Sequence, residues 1–131
     1  MANEACIYAN LVGSTGSPVS LAPSSSAAVG SLALTALMTP NQLLESLAIG
    51  YILTSAGGTL ATGATVVLYG TFDGTNWFPF YTPTTPPTDS QGNLVMVPPG
   101  VCGVRASCLN NDGSKTITFY AQVGALVAQL K

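Results

Sequence analysis

Asp73 and Gly74, followed shortly by Trp77, the single tryptophan, form the most chemically distinctive group in this 131-residue chain. Asp73, Thr75 and Asn76 could offer oxygen ligands to a calcium ion, and Asn110, Asn111 and Asp112 form a second such cluster. Each cluster holds a single carboxylate, whereas tight calcium sites recruit several. A DG pair is also what a tight turn demands, because Asp tolerates the left-handed region and Gly enters it freely. The turn reading is therefore preferred at both places, and no metal or cofactor is expected. The aromatic run Trp77, Phe78, Phe80 and Tyr81, with Pro83, Pro86 and Pro87 behind it, offers a different chemistry: contact with a neighbouring subunit or stacking against a sugar.

Catalysis is hard to build from this inventory. The chain has no histidine, which removes the usual general base and the commonest metal ligand. Glu4, Glu45, Asp73, Asp89 and Asp112 are dispersed, and none is embedded in an apolar run that would raise its pKa. "GSTGS" at 13–17 follows no buried strand and precedes no helix, so it is no phosphate cradle. A non-enzymatic protein is expected. Cys6, Cys102 and Cys108 lack metal-ligand spacing, and two thiols six residues apart on one strand lie about 20 Å from each other. They are expected as buried free thiols.

Charge excludes further classes. Three cations, Arg105, Lys115 and Lys131, against five carboxylates cannot neutralise enough phosphates to hold DNA or RNA. Mean hydropathy is positive, yet the most apolar stretch, 43–58, carries Glu45, polar residues and several glycines, so it is no transmembrane helix. The acidic, then polar, start "MANEACIYANLVGSTGS" does not read as a secretory leader, and synthesis and retention in the cytoplasm are expected.

The elements that would position these residues are strands. Ile117, Phe119, Ala121 and Val123 alternate with Thr116, Thr118, Tyr120 and Gln122. Val66, Leu68, Gly70 and Phe72 share one face of a run over 64–72, and further runs lie at 92–98 and 101–109. The two DG pairs connect strand to strand. In the segment after the first, Trp77 shares a side with Tyr81 if Pro79 does not bulge the strand, with Phe78 and Phe80 opposite. Residues 2–12 read as a strand, and about 13–36 as a Gly/Ser/Ala-rich arm, loop or set of short edge strands. Thr39, Pro40 and Gln42 carry a helix-start signature, while Leu47, Ile49, Tyr51 and Leu53 alternate as a strand. A short helical turn and then a strand over 46–54 is the expected compromise.

Seven or eight short strands with polar turns and little or no helix predict an all-β fold, a single antiparallel β-sandwich over residues 1–131. Jelly-roll and immunoglobulin-like connectivities both fit.

"ATVVLYGTFDGTNWFPF", "PPGVCGVRASC" and "DGSKTITFYAQ" together resemble a pattern of small bacteriophage virion proteins. In that pattern a strand enters a G-[ST]-x-D-G-x-x-W hairpin, here Gly70, Thr71, Asp73, Gly74 and Trp77. A later strand, here Gly103 to Ala106, precedes a DG turn and a final alternating strand. The likeness spans about residues 60–124. It implies a virion building block, an accessory capsid, decoration, head-spike or neck-to-tail protein, partnered by copies of itself and other virion proteins. In such a setting the 13–36 tract would lie as an arm across a neighbour. An adhesive module binding host-surface glycan through Trp77, Tyr81 and the prolines is the alternative. A composition with 6% charged residues suits a subunit whose surface is largely covered by neighbours.

Overall fold

Alternation at the C-terminus builds the centre of the molecule. In the computed structural model, which describes residues 3–24, 26–55, 64–83 and 92–129, β9 (Ile117–Gln129) carries the alternation on past Val123. It buries Ile117, Phe119, Ala121, Val123 and Val127 completely. β1 (Asn3–Val12) and β2 (Val19–Leu21) lie end to end along one edge of β9, and β4 (Gln42–Ser55) lies along the other. β7 (Asn93–Met96) adds to the far edge of β4 through Ala48–Tyr51. The second sheet runs in the order β3 (Ser26–Ala33), β8 (Gly103–Asn110), β5 (Ala64–Thr71), β6 (Trp77–Tyr81). All pairings are antiparallel. The one helix among the described residues, α1 (Leu34–Leu37), bridges β3 to β4.

The protein is therefore an antiparallel β-sandwich, with nine strands where seven or eight were expected. The orders β1-β9-β4-β7 and β3-β8-β5-β6 decide between the two connectivities. Taking β1 and β2 as one interrupted edge strand leaves eight positions, and apart from the β5–β6 hairpin each connection between them crosses to the other sheet. That is a jelly roll. Ile49, Leu53, Val66, Leu68, Val104 and Phe119 meet between the sheets at essentially zero exposure. Each stabilises the fold by about 1.5–3 kcal/mol relative to an exposed side chain.

Several expectations are corrected. Of the alternatives for the 13–36 tract, the edge strands are the form it takes: it supplies β2, β3 at the edge of its sheet and the start of α1. β3 sits in full register with β8, from Ser26–Asn110 to Ala33–Gly103. Its inward residues are Ala28, Gly30 and Leu32, a pattern of size more than of polarity. Gly30 explains the small side chains, since a Cβ there would lie 1.9 Å from the Leu11 carbonyl oxygen of β1. At 39–42 the helix-start residues make their reciprocal bonds without a helix. The Thr39 N–H donates to Gln42 Oε1 (2.9 Å) and the Gln42 N–H donates to the Thr39 carbonyl (3.1 Å), closing a turn from which β4 leaves directly. Phe72 is exposed, because β5 ends at Thr71 and the chain bends there. Cys108 alone of the thiols is buried, whereas Cys6 and Cys102 are exposed.

Candidate functional site

Both DG segments are turns, but of different make. Asp73 accepts hydrogen bonds from the Thr75 and Asn76 N–H groups (both 2.8 Å) and from Asn76 Nδ2 (2.7 Å). Thr71 Oγ1 receives the Gly74 N–H (3.0 Å), and Gly74 takes a φ of +80°. The backbone donors of Asn76 and Thr75, with the Asn76 amide, hold the Asp73 carboxyl well below the usual carboxylate range. At the second turn Gly113 does not adopt positive φ. The geometry comes from Asp112, whose Oδ1 accepts the Ser114 and Lys115 N–H groups (both 2.9 Å), which lowers its pKa. Asn110, one of the candidate calcium ligands, is fully buried. Its Nδ2 donates to the carbonyls of Leu21 (3.0 Å), Ala22 (3.1 Å) and Lys115 (2.9 Å), tying the end of β2 to the β8–β9 turn.

The aromatic run is split by its own proline. Thr71 faces Trp77, Gly70 faces Phe78 and Tyr69 faces Pro79, but Leu68 faces Tyr81. Phe80 is thus an extra residue, a bulge beside Pro79, whose missing N–H is tolerable on an edge strand. Bulging reverses the side on which Tyr81 projects. Its hydroxyl meets that of Tyr51 at 2.9 Å, and Tyr51 lies in the core at 1% exposure, its ring 6.3 Å from Phe119. Burial, reinforced by the Tyr81 hydroxyl, pushes the Tyr51 phenol above its ordinary range. Phe80 also packs against the core. Phe78 is exposed and tilts against Phe72, with ring centroids 5.8 Å apart. Pro83 is half-buried, while Pro86 and Pro87 lie outside the described residues. Trp77 and Tyr81 therefore do not form a joint stacking platform.

Trp77 projects outward and meets Arg105, which the sequence marks only as a cation and as part of a strand motif, not as a site residue. The Arg105 guanidinium carbon lies 4.1 Å from the centroid of the indole ring. Arg105 pairs with Tyr69 on one side and Ser31 on the other, so all three share the outer face of the second sheet. A depression of about 430 Å3 on that face is lined by Val29, Tyr69, Trp77, Arg105, Ser107 and Leu109.

The outer face of the first sheet is different. Ala48, Gly50 and Gly124 make a low floor, and Tyr8 on β1 with Leu94 and Met96 on β7 form the walls of a trough of about 520 Å3. These walls stand in water at 71%, 78% and 61% exposure. Among the described residues, no charged side chain lines the trough. The alternation of Cys6 and Tyr8 against Ala5 and Ile7 signalled two faces in the sequence. That β7 would place its apolar residues on the same outer face was not legible without the sheet order.

No known protein family matches the sequence, and no curated protein does. Among solved structures the chain is similar to PirA at 11% identity, over 82% of this chain and 89% of that one, with a TM-score of 0.47. It is similar to the Glycosylation Associate Protein (Gap123) complex from Streptococcus agalactiae at 13% identity and a TM-score of 0.51, over 90% of this chain and 44% of that one. The Yersinia pseudotuberculosis-derived mitogen matches at 12% identity and a TM-score of 0.40, over 100% of this chain and 88% of that one. The Gap123 likeness is one of fold.

Proposed function

We propose that this protein is a non-enzymatic structural subunit of a bacteriophage virion, an accessory capsid, decoration or neck-to-tail component that assembles as a symmetric oligomer. The observation that carries this reading is the uncharged apolar trough between Tyr8 and Leu94–Met96. Exposed apolar patches of this kind mark surfaces that are covered in the working state. Low charge over the whole chain is consistent with a surface shared among neighbours. The hairpin from Gly70 to Trp77 supplies the resemblance to virion proteins, and the jelly roll, a fold viral capsids and lectins both use, is compatible with it by analogy alone.

Size-exclusion chromatography with light scattering tests the proposal. The purified chain is expected to form a discrete oligomer, and Tyr8→Glu combined with Leu94→Lys, both surface changes, is expected to return it to monomer without unfolding. A wild-type chain that stays monomeric up to about 1 mM has no self-association of useful strength, and the proposal falls.

A further inference from the structure

On the opposite face of the sandwich from the trough, we propose that Arg105 and Trp77 form a binding site for a small acidic sugar, a pyranose bearing a carboxylate. Among the described residues, Arg105 is the only ionised one on its face. The outward residues around it, Val29 and Ser31 on β3, Val67 and Tyr69 on β5 and Trp77 on β6, carry no charge. Among the described residues the positive charge of Arg105 is met by the indole ring rather than by a carboxylate, and its buried Nε finds no hydrogen-bond partner. Unmatched buried donors are uncommon and call for a reason.

A guanidinium stacked on an aromatic ring bonds through its edge, where its fork matches the two oxygens of a carboxylate. Partial burial strengthens that attraction relative to water. The rest of the depression favours a sugar over a bare carboxylate. Trp77, Val29 and Leu109 present apolar surface, while Tyr69 and Ser107 place hydroxyls on the same rim. A pyranose carries the matching mixture of an apolar C–H face and hydroxyl edges. At about 430 Å3 the depression lies within the size range of small-ligand sites. The site shares no residue with the trough, so its failure leaves the assembly reading standing.

Trp77 is the single tryptophan, so its indole N–H gives a single reporter resonance. The full chain is titrated with sodium glucuronate, with glucose and sodium acetate as controls at matched ionic strength. Glucuronate is expected to move the resonance saturably, glucose to leave it unmoved, and acetate to bind at least about tenfold more weakly. Arg105→Lys keeps the charge and loses the fork, and Arg105→Met loses both. Each is expected to weaken glucuronate at least about tenfold, the value of one charge-assisted hydrogen bond. Tyr69→Phe, which retains the ring and the fold, is expected to weaken it several-fold. Equal response to glucose and glucuronate overturns the proposal, as does acetate matching glucuronate or glucuronate binding that survives Arg105→Lys unchanged.

Discussion

Asn110 shows how a polar residue at the end of a strand can hold a sandwich together. Its two amide hydrogens serve three neighbouring carbonyls, one hydrogen being shared, and its Oδ1 takes the Asp112 N–H at 3.1 Å. Replacing Asn110 with Ala would leave those carbonyls without their donor, that of Leu21 in a buried site and those of Ala22 and Lys115 in part-buried ones. Each unsatisfied buried group costs about 1–3 kcal/mol, partly recovered by relaxation of the turn, so Asn110→Ala is expected to destabilise by about 3 kcal/mol. Urea unfolding checks this as a lower midpoint at unchanged slope. A loss below about 0.5 kcal/mol, the range of ordinary surface substitutions, would show that water replaces the amide. In the sequence, Asn110 stood out as a possible metal ligand, since an asparagine's side-chain oxygen is visible there and its three carbonyl partners are not.

At the scale of elements, β3 lies close against β1 at Gly30. A methyl group at Gly30 would fall 1.9 Å from the Leu11 carbonyl oxygen and 2.7 Å from its carbon, both backbone atoms that move only with their strand. Gly30→Ala is therefore expected to cost more than about 2 kcal/mol, in the range of overpacked cores. Gly16→Ala, where nothing lies within 4 Å, serves as the control and is expected to stay within about 0.5 kcal/mol. Parallel thermal melts of the two variants decide it. This same closeness explains which strands were legible. β5, β8 and β9 bury large residues such as Leu68, Val104 and Phe119 on alternate positions, so a period of two is written in hydrophobicity. β3 turns Ala28, Gly30 and Leu32 inward, partly buried, because β1 leaves no room for more at Gly30, and its pattern merges with the Gly/Ser/Ala-rich composition around it. The candidate site was legible in part for a related reason. Trp77 was visible as a residue, but its side of the strand, its separation from Tyr81 and its meeting with Arg105 depend on a bulge and on the β8-β5-β6 order, which are long-range facts.

At the scale of the whole molecule, the pH range of stability follows from groups that face one another across the sandwich and from the two turns. Asp73 and Asp112 have folded pKa values below the ordinary carboxylate range. Their contribution is present above about pH 4 and is lost as pH falls through the folded values. The alkaline side has the opposite sign. Burial pushes the Cys108 thiol up to about 12 and holds the Tyr51 phenol above its usual value. The fold thus favours both neutral forms. That stabilisation is complete below about pH 8.5, where an unfolded thiol begins to ionise, and declines as pH rises toward 12, with the tyrosine joining near pH 10. Urea midpoints are expected to be level between about pH 5 and 8 and to fall above that. Cys108→Ala lowers the plateau through its small cavity but shifts the onset of the alkaline decline upward, toward the tyrosine. Cys6 and Cys102 are exposed, so the same substitution at either is expected to leave the onset where it was. An onset that ignores Cys108→Ala would mean that solvent reaches the thiol between the sheets, and the two layers would then be less closely packed than Val66, Leu68 and Phe119 at zero exposure require.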